Sequence, residues 1–379
     1  MRPDEGREPL LDLDTAVGAI VGTPVTRILE LHREPLDYDA FLAGRSVVRV
    51  GGVAATADGR IPFSFIEKVT EGPATASAYL YDNGVREFSA YRSGLLDDLA
   101  PTILAPRLLG SERAADGRLT LWLEEVHRSA PPAEVLTVAA RHLGALAGRW
   151  LGGVPDHPWL FRGWIDRHRQ PEAMRDGLAI LTAARGDADV DRSLRGRLEE
   201  AIDLVRAQDT LQEVLVSLPQ TLCHHDAVAS NVFHRERGGR SETVLIDWES
   251  VGPGPIGADL ASLLFSSARR GDIAGTAVAE LLPGALDAYR VGLTDAGAQV
   301  DRPLVELGLH ASIALRWTLA RDIVRVLRGP GTIFRGSAPN ESPAEAMEEL
   351  LALASVLLDS AARTRELVRA DRRKRGSAE

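Results

Sequence analysis

The residue types best suited to chemistry lie close together between Asp226 and Asp247. Asn231 follows Asp226 by five residues, and Asp247 follows Asn231 by sixteen, at the end of an apolar segment. A carboxylate can orient a hydroxyl group or accept its proton, while an amide oxygen and a second carboxylate are ligands that Mg²⁺ prefers. Phosphoryl transfer needs this set, because positioning and charge neutralisation provide most of its catalysis. The spacing predicts Asp226 as the hydroxyl-activating residue, with Asn231 and Asp247 as magnesium ligands.

Lysine is almost absent from this sequence. Of its 44 basic residues only Lys68 and Lys374 are lysine, and all the others are arginine. Lys68 lies in an apolar segment that predicts a strand, whereas Lys374 lies in the charged C-terminal end. Because an ammonium is compact and a guanidinium is planar, a lysine kept in a structured segment indicates a site that needs an ammonium. The alternative is a strand residue that faces solvent.

The elements that must position these residues change in character along the chain. From about residue 23 to 126, β-branched and apolar segments with tight turns predict strands. These strands are expected at 26–31, 46–54, 61–69 and 119–126, with one helix at 85–99. After Pro131, apolar residues at helical spacing predict long helices. These helices are expected at 136–150, 191–209, 274–290, 303–328 and 343–370.

These patterns predict an α+β protein of two lobes. A small β-rich N-terminal lobe, after a short extension, is expected at 1–127, and a larger helical C-terminal lobe at 128–379. A chain of 379 residues exceeds the size at which one hydrophobic core usually stops growing, which also favours two lobes. Functional groups are then expected in the cleft between them.

Composition excludes several classes of protein. The net charge of −10 disfavours nucleic-acid binding, which depends on clustered cations. No segment approaches the roughly 18 apolar residues of a membrane-spanning helix, and the acidic N-terminus does not resemble a signal peptide. The single cysteine, Cys223, excludes an internal disulfide and is typical of a reducing compartment. We therefore expect a cytoplasmic protein.

The chemical motif resembles that of a known family. His224-x-Asp226-x-x-x-x-Asn231, followed by an apolar strand that ends in Asp247, is similar to the aminoglycoside phosphotransferase family of kinase-like enzymes. The segment IGADLA, which contains Asp259, resembles the family's Gly-x-Asp-Leu-Ala segment, whose Asp supports the catalytic loop. The resemblance covers about residues 25–270. It implies a bilobal protein-kinase-like fold, ATP or GTP as co-substrate, and Mg²⁺.

The resemblance also implies roles in nucleotide binding. Lys68 would reach the α- and β-phosphates, and Glu87 would pair with it, although a Glu near a helix start also stabilises the helix dipole. The strand with Glu124 and Val126 would connect the lobes and bind the nucleobase through its backbone. The loop that covers the phosphates would lie at 41–46 and include Ser46, but this segment lacks the Gly-x-Gly-x-x-Gly pattern.

Four more residues lie within the motif or directly beside it. His225 stands where the family usually has Gly, and it is expected either to contact substrate or to face solvent. Trp248 is expected to pack in the core, and Glu249 to meet a cationic substrate or solvent. His224 is expected to fix the catalytic loop through hydrogen bonds.

The cluster of Cys223, His224, His225 and His234 could suggest zinc. However, adjacent histidines on an extended segment point to opposite sides, and no second cysteine completes the ligand set. A zinc site is therefore disfavoured.

Three functional hypotheses follow. The first is a kinase that phosphorylates a hydroxyl of a small molecule or natural product. The second has the same chemistry on Ser or Thr of a peptide during natural-product maturation, with a possible protein partner. The third is a pseudokinase that binds nucleotide without transfer, which the retained catalytic groups disfavour. Candidates for the acceptor wall include Trp159, Trp164, Asp166, Arg316, Trp317 and Asp322. The basic C-terminus favours an acceptor less cationic than an aminoglycoside.

Overall fold

The computed structural model describes residues 12–36, 45–71, 84–329 and 335–376. Its strands are β1 (Val25–Pro35), β2 (Arg45–Thr56), β3 (Gly59–Thr70), β4 (Ile103–Leu104), β5 (Leu108–Arg113), β6 (Leu119–Glu124), β7 (Gln220–Cys223), β8 (Val232–Arg237), β9 (Arg240–Leu245) and β10 (Gly252–Pro255). Its α-helices are α1 (Leu13–Val21), α2 (Gly84–Arg92), α3 (Pro132–Arg149), α4 (Pro171–Ala183), α5 (Ala188–Ser193), α6 (Leu198–Arg206), α7 (Gln208–Ser217), α8 (Ala258–Ala261), α9 (Ser267–Arg270), α10 (Val278–Asp295), α11 (Arg302–Ala314), α12 (Thr318–Arg328) and α13 (Pro343–Gly376).

The N-terminal part is built on an antiparallel sheet with the strand order β1-β2-β3-β6-β5. Alternation along β2 and β3 turns Val50, Phe63 and Phe65 to one face, where they form a small core with Val17 of α1. The opposite face turns Leu121 and neighbouring residues of β6 towards α2, and these residues join the main core. The sheet is thus covered on both faces, and β3 lies at its centre.

The C-terminal part is mainly helical and holds most of the hydrophobic core. Two small sheets lie within it: β7 pairs with β10, and β9 pairs with β8 and with β4. Both sheets sit beside α3, whose buried stripe supports them. No helix in the described part of the chain is long and apolar enough to cross a membrane. The α+β class predicted from the sequence is confirmed, while the lobe boundary at residue 127 stays a prediction.

Several predicted helices are shorter than their apolar patterns indicate or are divided into separate helices. The helix expected at 85–99 ends at Arg92, because Gly94 adopts a left-handed conformation with φ 78°, and a short 3₁₀ turn follows. The helix expected at 191–209 breaks at Arg195 and Gly196, which both have positive φ. The pattern at 303–328 forms the two helices α11 and α12. Periodicity identified these segments but not the glycine and turn conformations that divide them.

Other predictions differ at the level of whole elements. Helices α1 and α4 were not expected; α1 is capped at its N-terminus by Asp12, whose side chain accepts a hydrogen bond from the backbone N–H of Thr15. The strand expected to end at Asp247 ends at Leu245. The phosphate-covering loop expected at 41–46 falls largely outside the described residues, which resume at Arg45.

Candidate active site

An ion cluster joins the central strand β3 to α2 and to the turn after β9. Lys68 Nζ lies 2.9 and 3.0 Å from the two carboxylate oxygens of Glu87, and 3.1 Å from Oδ1 of Asp247. Glu87 reaches Lys68 because α2 packs directly against the sheet, and Asp247 is separated from Lys68 by 179 positions in the chain. The residues expected to bind phosphate and metal are thus brought into direct contact.

Charges in this cluster shift one another's protonation. Burial by itself would lower the pKa of Lys68, but Asp247 and Glu87 outweigh it and hold the pKa well above its usual value. Burial and repulsion from Asp247 raise the pKa of Glu87. Burial by itself would raise the pKa of Asp247, but attraction to Lys68 outweighs it and lowers that pKa. Two carboxylates share one ammonium, so this part of the site is suited to a further cation.

Asp247 occupies an unusual backbone position. Its φ of 66° is in the left-handed region, directly after β9, and it turns the chain sharply. Trp248 beside it is fully buried, donates from Nε1 to the Leu245 carbonyl at 2.8 Å, and packs against the ring of His224. The expectation that Trp248 is a packing residue is confirmed.

The loop after β7 presents Asp226. Asn231 Nδ2 donates to the backbone carbonyl and to Oδ2 of Asp226, both at 3.0 Å. Because the nitrogen of the Asn231 amide faces Asp226, its oxygen Oδ1 is the atom that could bind a cation. Asn231 and Asp247 lie on the wall of the same cavity. The amide and carboxylate that the sequence identified as metal ligands are therefore compatible with one magnesium ion.

His224 holds this loop in place from within the core. Its Nδ1 accepts from the backbone N–H of Asp226 at 3.3 Å, so Nε2 carries the proton and donates to the carbonyl of Ile246 at 3.0 Å. Burial lowers the pKa of His224, which favours this neutral form. The ring links the Asp226 loop to the strand that leads to Asp247, and its two nitrogens are both engaged.

Asp259 anchors the same loop through its backbone. Its carboxylate oxygens accept from the N–H groups of His224 at 2.9 Å and His225 at 2.8 Å. Asp259 itself is buried at the start of α8, just after Gly257, whose φ is 86°. The supporting contact that the resemblance implied is present.

A cavity of about 460 Å³ opens between the sheet and the Asp247 strand. Glu124 and Val126 lie on its wall together with Lys68, Asn231 and Asp247. The Glu124 carboxylate also accepts from the backbone N–H of residue 107 at 3.1 Å, which orients its strand. Ser46 instead lines a smaller recess that also borders Lys68 and Asp247, and it is not on the wall of the larger cavity.

Comparison with family models identifies the protein's relatives. Residues 42–300, more than half of the chain, match the phosphotransferase enzyme family known as APH. The chain belongs to this family. A search of curated proteins gives no significant match.

Solved structures that are similar to this chain include several phosphotransferases. The aminoglycoside phosphotransferase of Alicyclobacillus acidocaldarius has a TM-score of 0.50 at 14% identity, over 97% of this chain and 99% of that one. A spectinomycin phosphotransferase in complex with ADP and spectinomycin has a TM-score of 0.48 at 13% identity, over 92% and 97%. Ethanolamine kinase of Plasmodium vivax has a TM-score of 0.47 at 12% identity, over 87% and 83%. The first of these likenesses confirms the kinase-like fold predicted from the sequence.

His225 departs from the phosphotransferase family pattern for a structural reason. Its φ is 64°, a conformation that glycine adopts easily, and its side chain is only 3% exposed. The ring stacks on Trp164 at a centroid distance of 5.0 Å, and Nε2 lies 3.1 Å from the Pro253 carbonyl. Burial lowers its pKa to about 3. The expectation of a solvent-facing side chain is wrong, because stacking in the core holds His225 inside.

Glu249 is also buried in this phosphotransferase, contrary to both expectations for it. Its carboxylate pairs with Arg45 at the start of β2, and its backbone carbonyl accepts from Arg86 of α2. Arg86 is itself buried, donates to the carbonyl of Trp159 at 3.0 Å, and lies over the ring of Phe161. Sequence reasoning missed Arg45 and Arg86, since nothing distinguishes them in a chain whose basic residues are nearly all arginine.

Three of the residues proposed for the acceptor wall belong to the core instead. Trp164, Arg316 and Trp317 are buried, and Trp317 Nε1 donates to the carbonyl of His168 at 2.8 Å. Asp322 remains partly exposed and pairs with neighbouring arginines. Their spacing did not distinguish a pocket wall from a packed helix interface.

A group of potential metal ligands does meet beside the catalytic loop. Ligand atoms of Cys223, His225 and Asp259 lie within 4.8 Å of one another. However, both oxygens of Asp259 already accept backbone hydrogen bonds, and burial raises the pKa of the Cys223 thiol well above its usual value. A protonated thiol and an engaged carboxylate are poor zinc ligands, so this cluster has a structural role.

Proposed function

We propose that this family member transfers the γ-phosphoryl group of ATP or GTP to a hydroxyl group of a small molecule or natural product. The observation that carries the proposal is the contact of Lys68 with both Glu87 and Asp247, combined with the Asp226–Asn231 pair on the same cleft. Phosphoryl transfer requires a fixed cation for phosphate, oxygen ligands for metal and a carboxylate for the hydroxyl. These five residues supply all three.

Each residue has a distinct role in the proposed reaction. Lys68, oriented by Glu87, binds the α- and β-phosphates, and Asn231 and Asp247 hold Mg²⁺. The backbone of the strand with Glu124 and Val126 binds the nucleobase. Bound Mg²⁺ would neutralise the charge that develops on the phosphate oxygens.

Asp226 acts on the acceptor. It orients the hydroxyl so that its oxygen forms a bond to the γ-phosphorus while the bond from that phosphorus to the β,γ-bridging oxygen breaks. The hydroxyl proton passes to Asp226, and the nucleoside diphosphate leaves with the electron pair of the broken bond. Asn231 keeps the Asp226 carboxylate in position, and His224 fixes the backbone beside it.

The alternative of a catalytically inactive nucleotide-binding protein is less well supported. Lys68, Asp226, Asn231 and Asp247 are all retained, and their side chains meet in one cleft. Loss of catalysis usually removes at least one such group. Transfer to a peptide would appear in the experiment below as label in the peptide panel.

The experiment measures nucleotide binding and transfer separately. Calorimetry with ATP and GTP, with and without MgCl₂, is expected to give magnesium-dependent binding that Asp247→Ala abolishes. The control Asp189→Ala removes an exposed carboxylate on α5 that pairs only with Arg192 among the described residues. Radiolabelled nucleotide is then offered with panels of hydroxyl compounds and peptides. An unchanged magnesium titration in Asp247→Ala contradicts the metal role, and label found only in peptides contradicts the small-molecule acceptor.

A further inference from the structure

An arginine lies directly beside the carboxylate that activates the hydroxyl. Arg270 Nη1 is 3.7 Å from Oδ2 of Asp226, and its side chain is 43% exposed. Arg270 is the last residue of α9, which ends because Gly271 adopts a left-handed conformation with φ 89°. The guanidinium therefore stands at the edge of the space where the acceptor must bind.

A second pair of arginines extends this positive surface. Arg269, the residue before Arg270, donates to Oδ2 of Asp322 at 2.6 Å, and Arg321 donates to Oδ1 of the same carboxylate at 2.7 Å. Two guanidinium groups thus share one carboxylate. Arg269 is about one-third exposed and Arg321 is half as accessible. This arrangement retains positive charge on a surface that solvent reaches.

Two more arginines adjoin the histidines of the core: Arg167 precedes His168 in the chain, and the guanidinium carbon of Arg316 lies 6.0 Å from the ring centroid of Trp164, which stacks on His225. Burial lowers the pKa of His168, and its strongest charged neighbours are Arg167, Arg316 and Arg269. Burial also lowers the pKa of His225, and the nearby positive charges of Arg167 and Arg316 lower it further. We name Arg167, Arg269, Arg270, Arg316 and Arg321 the arginine cluster. Its members come from three separate segments, and Arg270 connects the cluster to Asp226.

Building on the proposed function, we propose that the acceptor carries an anionic group, a carboxylate or a phosphate, close to the hydroxyl that is phosphorylated. The planar guanidinium of Arg270 matches such groups through two parallel hydrogen bonds. Arg269 and Arg321 stabilise the same anion at longer range. A polycationic acceptor is repelled by this cluster, because like charges placed side by side in a partly buried site are costly.

Matched acceptors of different charge test this proposal. Radiolabelled ATP and MgCl₂ are offered with glycerate, glycerol 3-phosphate, glycerol and 2-amino-1,3-propanediol, and with gluconate, glucose 6-phosphate, glucose and glucosamine. We expect kcat/KM for the carboxylate or phosphate member of a set to exceed that of its neutral and amino counterparts by roughly tenfold or more. The two anionic arms distinguish a hydroxy acid from a phosphorylated alcohol. Label in neutral or amino compounds at equal efficiency, or in no anionic compound, overturns the proposal.

Variants connect the preference to the cluster. Arg270→Gln is expected to raise KM for the anionic acceptor about tenfold or more, Arg321→Gln is expected to raise it less, and both are expected to leave KM for MgATP unchanged. The control Arg325→Gln removes an exposed arginine of α12 that pairs with Asp176. If Arg270→Gln lowers transfer to charged and neutral acceptors equally, the residue does not select an anion and the proposal is wrong.

The outcomes also separate this proposal from the proposed function. Transfer to neutral or cationic acceptors keeps the phosphotransferase and refutes only the anionic acceptor. Failure of magnesium-dependent binding of ATP and GTP refutes the phosphotransferase itself.

Discussion

The two sides of the cleft use charge in different ways. On the proposed nucleotide side, the Lys68 ammonium lies within 3.1 Å of the carboxylates of Glu87 and Asp247, and all three side chains are largely enclosed. On the acceptor side, Arg270 contacts Asp226 at 3.7 Å and remains substantially exposed. One side is a closed ion network, and the other is an open site where a partly exposed arginine adjoins the Asp226 carboxylate.

This difference follows from what each side is proposed to bind. Nucleoside triphosphate and magnesium have the same shape and charge in every reaction, so a network fixed before binding loses nothing by being rigid. The acceptor side must instead keep its charged groups accessible to a different molecule, the acceptor. The comparison predicts that equal substitutions on the two sides have unequal consequences.

The largest effect is expected where the two sides meet. Asp226→Asn keeps the side-chain size but removes the carboxylate that is proposed to accept the hydroxyl proton. We expect phosphoryl transfer to fall about 10²–10⁴-fold, with magnesium-dependent nucleotide binding unchanged. Transfer is measured with radiolabelled ATP and binding by calorimetry. The control Asp295→Asn removes an exposed carboxylate that pairs with Arg141, and parental activity in Asp226→Asn would contradict the assignment.

One cation on each side, Lys68 or Arg270, is expected to contribute a different amount to the free energy of unfolding. Lys68→Ala leaves Glu87 and Asp247 close together without their shared ammonium. Removing one partner of an enclosed ion pair is strongly destabilising, so we expect a loss of about 3 kcal/mol in the free energy of unfolding. On the acceptor side, Arg270→Ala is expected to cost about 1 kcal/mol or less, because its side chain is 43% exposed. Urea unfolding measures both values.

A second substitution distinguishes charge from lost packing on the nucleotide side. Glu87→Gln is expected to recover part of the stability in the Lys68→Ala protein, because one of the two repelling carboxylates becomes neutral. In the parent protein the same change is expected to destabilise. Equal losses for Lys68→Ala and Arg270→Ala would contradict the contrast between a closed and an open side.

The last effect concerns pH and comes from His225, which is buried next to Asp226 in the chain. The pKa of His225 is lowered to about 3 by burial, from an ordinary value near 6.5. Between pH 6.5 and pH 3 the unfolded chain therefore binds a proton that the folded protein does not, and stability falls as pH falls. From pH 7 to pH 5 we expect His225 to contribute a loss of about 2 kcal/mol.

His225→Asn tests this contribution. Asn tolerates the positive φ of this position and does not titrate in this range. Urea unfolding at pH 7 and pH 5 is expected to show a smaller loss of stability in the variant than in the parent. The same pH dependence in both proteins would show that His225 is not responsible.

Local patterns were sufficient for the fold class, and they singled out residues that the structure brings together around Lys68. The α+β class followed from the change of periodicity after Pro131, and the spacing of Asp226, Asn231 and Asp247 indicated one reaction. Lys68 could be identified because lysine is so rare in this chain. These signals lie in residue type and short spacing, which are visible without a structure.

Helix ends and side-chain surroundings were less predictable. Gly94 ended a helix that its apolar pattern extended, because a single left-handed residue stops a helix whatever follows it. Glu249 and His225 looked exposed as polar residues, but Arg45 and Trp164 cover them from positions far away in the chain. Burial depends on which distant segments meet, and residue type alone does not specify this.

By itself, then, the sequence determined the reaction type of this protein, since the groups that phosphoryl transfer requires occur at characteristic spacings on the strand, the helix and the loop. Only the tertiary structure decided the charge of the surface that faces Asp226. Arg270 is separated from Asp226 by 44 positions, and Arg321 by 95. The chain contains many equivalent arginines, and only folding brings Arg270 to within 3.7 Å of the Asp226 carboxylate.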